Sequence, residues 1–253
     1  MIPLKSEKEI EIMAEGGRVL AKIMKEIEKM VKPGVLTKDL EKLAESLIVK
    51  SGAKCAFKGY SEKGEKPFPA CLCTSINDEI VHCIPSKRVL KEGDLLKLDL
   101  GILWKGYYLD MAITVPVGKV SFEAQRLIRV TKKALKLAIK KAKPGNTFGD
   151  ISNTIQRYVE SQGFSVVREL CGHGIGKNLH EEPKILNYGK RKTGEKIKEG
   201  MVFCIEPMVT AGDWRLKKAK DGFGYATQDG SLTAHFEHTV AVTKKGPEIL
   251  TKI

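Results

Sequence analysis

The stretch Lys91-Glu92-Gly93-Asp94-Leu95-Leu96-Lys97-Leu98-Asp99-Leu100 is followed, across Trp104-Lys105-Gly106, by Tyr107-Tyr108-Leu109-Asp110-Met111-Ala112-Ile113. Two short apolar runs on either side of a Gly-containing turn read as the strands of a hairpin. Each run carries one acid, and a carboxylate inside an apolar strand is costly unless something neutralises it. A two-residue turn at Trp104-Lys105 would set Asp99 directly across from Asp110, with Cβ atoms roughly 4.5–5.5 Å apart.

Downstream, Lys198-Glu199-Gly200 again leads into an apolar run, ending Ile205-Glu206. A second hairpin is marked by Asp221-Gly222, a strong turn signal, and a turn centred there sets Glu206 opposite Glu237. Its legs are too long for one uninterrupted hairpin. Around Glu237 the residues alternate, with Phe236, His238 and Val240 on one side and His235, Glu237, Thr239 and Ala241 on the other.

The echo extends upstream. Lys32-Pro33-Gly34, Asp39 and Gly52 recur, at one constant offset, as Lys143-Pro144-Gly145, Asp150 and Gly163. Each series follows a long basic amphipathic segment, about 6–31 and 121–142, which the prolines end. Ser6 with Glu9 is a capping box for the first. Each half therefore reads helix, turn, helix, strands, with an acid at the same place. The expectation is an α+β chain, one domain over 1–253, built from similar halves of about 1–118 and 119–253.

Composition narrows the classes. The 253 residues include 44 Lys+Arg against 31 Asp+Glu, a net charge of +13, with 42% apolar residues. That excludes a disordered chain. No window approaches the ~18 apolar residues of a membrane span. The N-terminus turns charged at once, against a signal peptide, so a cytoplasmic location is expected. The positive surplus fits either an anionic partner or a Lys-rich solvated surface. All six cysteines are expected reduced. Cys71, Cys73, His82 and Cys83 could be drawn as a zinc site, but Cys-x-Cys is tighter than a finger knuckle, and small buried thiols are favoured.

Four like charges on duplicated strands repel one another. Shared protons are one answer, and a pair of divalent cations matching the charge of four carboxylates is the other. A turn cap or salt bridge explains any single acid, though not a duplicated set. Five histidines are present: His82, His173, His180, His235 and His238. His173 sits in Gly172-His173-Gly174-Ile175-Gly176, which lacks the glycine and the Ser/Thr of a phosphate loop. His180-Glu181-Glu182-Pro183 is no zincin helix, and no Gly-x-Ser-x-Gly elbow occurs.

The ordered set Asp99, Asp110, His173, Glu206 and Glu237, with the Gly-His-Gly-Ile-Gly loop, His180-Glu181-Glu182-Pro183, Ile205-Glu206-Pro207-Met208 and Phe236-Glu237-His238-Thr239, resembles the type I methionine aminopeptidases. The likeness runs from about residue 5 to residue 252. It implies the pita-bread fold, a curved antiparallel sheet backed by helices with pseudo-twofold halves. It also implies a hydrolase that removes the initiator methionine from nascent chains when the next residue is small. The five residues would hold two divalent metal ions, the two aspartates and Glu237 holding one, and Asp110, His173, Glu206 and Glu237 the other. Oxygen ligands with one imidazole suit manganese, iron or cobalt. Glu206 would shuttle the proton to the leaving amine. His180 and His82 would contact the substrate, His180 steadying the tetrahedral intermediate. Cys73, Leu179 and Phe223, with Tyr60 and Phe68, would line the methionine pocket. His235 would lie behind Glu237, and His238 would pack away from the site.

This chain departs from the family's usual pattern at Cys83, Leu179, Phe223 and the stretch Ser61–Pro69. An Xaa-Pro aminopeptidase or prolidase of the same fold is the alternative enzyme, but those usually carry an extra N-terminal domain, and type II enzymes need an insertion between His173 and Glu206. A non-enzymatic ribosome-binding relative would lack some ligands, whereas all five stand here. Arg126, Arg129, Lys133, Lys136 and Lys140 share one helix face, a docking surface for ribosomal RNA or a solvated face. With no evident apolar stripe, a monomer is expected.

Overall fold

A capping box starts the first helix, α1 (Glu7–Met30): the Ser6 N–H donates to the Glu9 carboxylate at 2.8 Å and the Glu9 N–H to the Ser6 hydroxyl at 3.3 Å. The computed structural model describes residues 2–61 and 66–252. α1 buries Met13, Gly17, Leu20, Met24 and Ile27 on one face, each large side chain contributing about 1.5–3 kcal/mol. Gly17 is packed so closely on the Leu250 carbonyl that a Cβ there would overlap it.

α2 (Thr37–Ser51) precedes β1 (Lys54–Cys55), β2 (Leu72–Ile76), β3 (Glu79–Val81), β4 (Leu95–Trp104) and β5 (Tyr107–Pro116). The second half repeats the order. α3 (Phe122–Ile139) and α4 (Phe148–Ser161) precede β6 (Ser165–Val166), β7 (Cys171–Gly174), β8 (Glu181–Leu186), β9 (Val202–Ile205) and β10 (Met208–Thr210). β11 (Leu216–Lys218), β12 (Tyr225–Thr227), β13 (Thr233–His235), β14 (Glu237–Thr243) and β15 (Gly246–Ile249) complete it. Matching single bridges, Leu36 to Val89 and Thr147 to Lys196, tie each second helix's entrance to the loop before the strands. The repeated Asp150 is structural: it accepts from the Thr147 N–H at 2.9 Å and caps α4.

Among the described residues nine antiparallel strands form the main sheet, in the order β1-β4-β5-β14-β9-β7-β8, with β2 on β4 and β15 on β14. Two three-stranded sheets, β13-β10-β6 and β11-β12-β3, flank it. Leu96, Leu98, Leu100 and Ile102 of β4 join the core under α1 and α2, which turns Asp99 to the opposite face. Phe203 and Ile205 of β9 join a second core under α3 and α4. Among the described residues no helix is long and apolar enough to cross a membrane.

Three local expectations meet the structure. The first hairpin turns at Lys105-Gly106, not Trp104-Lys105: Trp104 pairs with Tyr107, Gly101 with Asp110 and Asp99 with Ala112. Both turn residues have positive φ (47° and 86°), the requirement of a I′ turn, whose second position favours glycine. Asp99 and Asp110 are therefore diagonal neighbours on one face rather than directly opposed. The second hairpin keeps the expected register, divided among three ladders. Leu216 pairs with Thr227, Met208 with His235 and His238 with Ile205, all centred on Asp221-Gly222. One step beyond the last pair, Glu206 faces Glu237.

The third is a correction. Cys55 and Cys71 form a disulfide, while Cys73, Cys83, Cys171 and Cys204 are free. β1 and β2 pair along the same edge of β4, Cys55 at Ile102 and Leu72 at Leu100, which brings the two Cα atoms to 5.2 Å.

Candidate metal centre

The middle strands of the sheet put the acids in one place. Asp99 on β4 pairs with Ala112 of β5, and Ala112 pairs with Glu237 of β14, so a row crosses three strands with Asp110 two residues from its middle. Asp99, Asp110 and Glu237 are buried, and each offers an oxygen within 4.8 Å of the other two. Glu237 belongs to two further groups of that size, one with Glu206 and His235 and one with His173 and Cys204. His173 Nε2 lies 3.7 Å from Glu206 Oε1. The five residues expected as ligands thus converge on one point.

Their electrostatics explain why this place is special. Burial pushes the Asp99 carboxyl up to about 6. Asp110 is pushed well above the carboxylate range by burial and then by Glu237, Asp99 and Glu206. Glu206 and Glu237 rise in the same direction, again by burial first and by neighbouring carboxylates second. Burial and the adjacent His180 lower the His173 imidazole to about 3, so it is neutral. Its Nδ1 lies 2.9 Å from the Gly174 carbonyl, which can only accept, so Nδ1 carries the proton and Nε2 keeps its lone pair.

The donor set fits divalent metal. Asp99 Oδ1, Asp110 Oδ1 and Glu237 Oε1 are buried without a hydrogen-bond partner, and such atoms require one. Carboxylate oxygens with a neutral imidazole are the ligands that hard and borderline cations take.

Two residues outside the expected ligand set join the cluster. His235 is fully buried, its Nε2 3.5 Å from Glu206 and 4.0 Å from Glu237, in keeping with its expected place behind Glu237. Cys204 shares the face of Glu206, a signal legible as Cys-x-Glu; burial and Glu237 keep its thiol protonated. Thr239 was missed: its hydroxyl accepts from the Asp110 N–H at 3.0 Å and donates to the Asp110 carbonyl at 2.8 Å. Lys97 was also missed. It is fully buried, lowered to about 7 by burial, and donates to the Asn77 and Leu95 carbonyls.

The expected substrate residues lie around the cluster. The His180 ring is 4.5 Å from that of His173, and its Nδ1 is 2.8 Å from the Tyr60 hydroxyl. A buried ion pair, Lys5 to Glu181 at 2.6 Å, ties the N-terminal arm to the residue after His180. Cys73 pairs with Asp99, and burial with the nearby aspartates keeps its thiol neutral. Leu179 is buried beside His180. Phe68 stacks edge-on with Phe223 at 5.8 Å and with Phe57, another missed residue, at 6.5 Å. His82 is exposed, its ring 6.3 Å from Tyr225. His238 packs away, bonded to Thr251 at 2.9 Å. Of the divergent stretch Ser61–Pro69, residues 62–65 lie outside the described residues. No grouping of the described residues unites Cys71, Cys73, His82 and Cys83.

A nine-stranded antiparallel sheet backed by four helices, cradling a buried carboxylate and histidine cluster, defines a metal-dependent hydrolase. Residues 11–244 match metallopeptidase family M24, and the chain belongs to that family. Within it the chain sides with the methionine aminopeptidases. It is 48% identical to the methionine aminopeptidase of Clostridium acetobutylicum, over 99% of both chains, and 46% identical to methionine aminopeptidase 1 of Bacillus subtilis over the full length of both. The methionine aminopeptidase structure from Thermotoga maritima superposes with a TM-score of 0.96 at 44% identity, covering 100% of each chain. A prolidase from Pyrococcus horikoshii shares the fold, with a TM-score of 0.77 at 24% identity over 63% of its own length. The pita-bread architecture expected from the sequence is therefore present.

Proposed function

We propose that this chain is a type I methionine aminopeptidase, releasing Met from peptides whose next residue is small. The observation that carries it is the buried cluster of Asp99, Asp110, Glu206 and Glu237, with the Nε2 of neutral His173 3.7 Å from Glu206. Asp99, Asp110 and Glu237 would hold one divalent ion, and Asp110, His173, Glu206 and Glu237 a second, with manganese, iron or cobalt suiting the donors. Divalent metal bound there supplies a water acidic enough to attack near neutral pH and polarises the scissile carbonyl.

The chain's own groups do the rest. Glu206, a carboxylate at the edge of the cluster beside His173 and His235, takes the nucleophile's proton and delivers it to the leaving amine. The Tyr60 hydroxyl lies 2.8 Å from His180 Nδ1 and orients the ring; in the Nε2-protonated tautomer His180 donates to the oxygen of the tetrahedral intermediate. One such bond is worth ~2–4 kcal/mol of barrier. His82 donates a further hydrogen bond to the substrate. Neutral Cys73 and Leu179, with Tyr60, Phe68 and Phe223, accept an unbranched thioether and offer it no charge. Hydrolysis of Met-Ala-Ser and not of Ala-Pro-Ala by the manganese-loaded protein is the expected result. Cleavage of Ala-Pro-Ala alone would transfer the chain to the prolidase reading.

The substrates are nascent N-termini, which places the enzyme in the cytoplasm. The two halves share one sheet, so we read a single domain, and we keep the reading of a monomer. A ribosome contact through α3 is narrower than its five basic residues suggest. Arg126 stacks on Phe164 at 5.0 Å and donates to the Gln162 carbonyl at 2.8 Å, leaving Arg129, Lys133, Lys136 and Lys140 exposed. Salt-sensitive cosedimentation with ribosomes should weaken on reversing those four charges, and binding indifferent to reversal removes the contact.

A further inference from the structure

His82 adopts a left-handed backbone, with φ of 61°, which a residue with a Cβ holds only when its surroundings impose it. Three ties do so. Val81 pairs with Tyr225 on the preceding side. The Cys83 carbonyl accepts from the Thr74 N–H at 2.8 Å. On the following side, the Ile84 N–H donates to Asp221 Oδ2 at 2.8 Å. Asp221 belongs to the other half of the chain, and its second oxygen is also engaged. Oδ1 accepts from the Phe223 and Gly224 N–H groups, both at 2.9 Å.

One carboxylate thus binds two turns at once, the turn that presents His82 and the turn that presents Phe223. The turns are in close contact, since a Cβ on Gly224 would overlap the Cys83 sulfur. A cavity of about 280 Å³ bordered by Thr37, Cys83, Ile84, Arg88 and Asp221 lies beside the junction. Close packing and hydrogen bonds together set the spacing, and those to a carboxylate are the strong kind.

We infer that Asp221 is a positioning residue that couples His82 to the pocket wall at Phe223, so that the substrate's hydrogen-bond donor and its side-chain pocket keep one fixed separation. This rests on the reading of both residues as substrate-facing. Phe223 meets Phe68 at 5.8 Å, so a shift of its turn moves the pocket wall directly.

The test uses the full-length, manganese-loaded protein with Asp221→Ala and Asp221→Asn. Asn keeps the shape and one acceptor, and serves if the Ala variant fails to fold. Amide hydrogen exchange at Ile84 should quicken by about tenfold or more. With Met-Ala-Ser, kcat/KM should fall by about 10–100-fold, with KM raised. The preference for Met-Ala-Ser over Leu-Ala-Ser should drop by about fivefold, which a general loss of stability or metal would not change. Smaller effects in the same direction are expected of Asn. Unchanged Ile84 exchange overturns the clip. Faster exchange with kcat, KM and preference within about twofold of wild type overturns the positioning role, and a fall in kcat/KM with preference intact overturns the coupling to Phe223. If the wild type releases no Met, the proposed function fails, and Ile84 exchange still decides whether Asp221 joins the turns.

Discussion

Manganese-loaded Glu206→Gln releases Met from Met-Ala-Ser at least about a hundredfold, and up to about ten-thousandfold, more slowly than wild type. The substitution keeps the shape of the side chain and removes the group that accepts and returns the proton. In the metal-free protein Glu206 is raised well above the ordinary carboxylate range by burial and by Asp99; its proposed part in proton transfer rests on its place beside His173 and His235. The fold should not suffer. Glu206 is one of four acids that crowd one another, so the metal-free variant should melt no lower than metal-free wild type. Turnover, metal content and thermal unfolding, measured on the same preparation, separate lost chemistry from lost protein. Activity within about tenfold of wild type, with metal content unchanged, would remove Glu206 from the proton path.

Metal binding should stabilise the protein more at pH 8 than at pH 5. The sign follows from the acids. Asp99 rises to about 6, and Asp110, Glu206 and Glu237 are raised further. Each raised acid stabilises the metal-free fold below its unfolded pKa of about 4, and that contribution is lost as pH rises through its folded value, at ~1.4 kcal/mol per pH unit for each proton. His173 and His235, lowered to about 3 and 4, act oppositely: their contribution is present above about pH 6.5 and is lost as pH falls. Lys97, lowered to about 7, also acts against the acids at higher pH. Subtracting the melting temperature without metal from that with metal cancels groups remote from the ligands. What remains is the competition between protons and metal for the acids. The difference should grow from pH 5 to pH 8 under saturating manganese. A difference independent of pH would mean that metal does not bind at these carboxylates.

The placement of the acids shows where local sequence reading stops. The alternation around Asp99 and Glu237 assigns their faces, because a strand has a period of two. It does not assign the partner strand. Shifting the first turn by one residue moves the partner of Asp99 from Asp110 to Ala112, while both acids stay on one face. The face survived the error because the shift displaced the pairing by an even number of residues. Cys204 and Thr239 were within reach of the same alternation argument. Lys97 was not, since nothing in a Leu-Lys-Leu run says that its ammonium turns to two backbone carbonyls rather than to water.

The sequence by itself determined the duplicated helix–strand order, the capping box at Ser6, the branch of the family and the five acid and histidine positions that the fold brings together. All of these are set by local geometry or by residues that chemistry requires at fixed spacing. Tertiary structure alone decided the rest. The Cys55–Cys71 disulfide exists because two strands distant in the chain share one edge of β4. The buried Lys5–Glu181 pair and the Asp221 clip each span well over a hundred residues. Such contacts depend on how the halves close on one another, and no periodicity within either half encodes that.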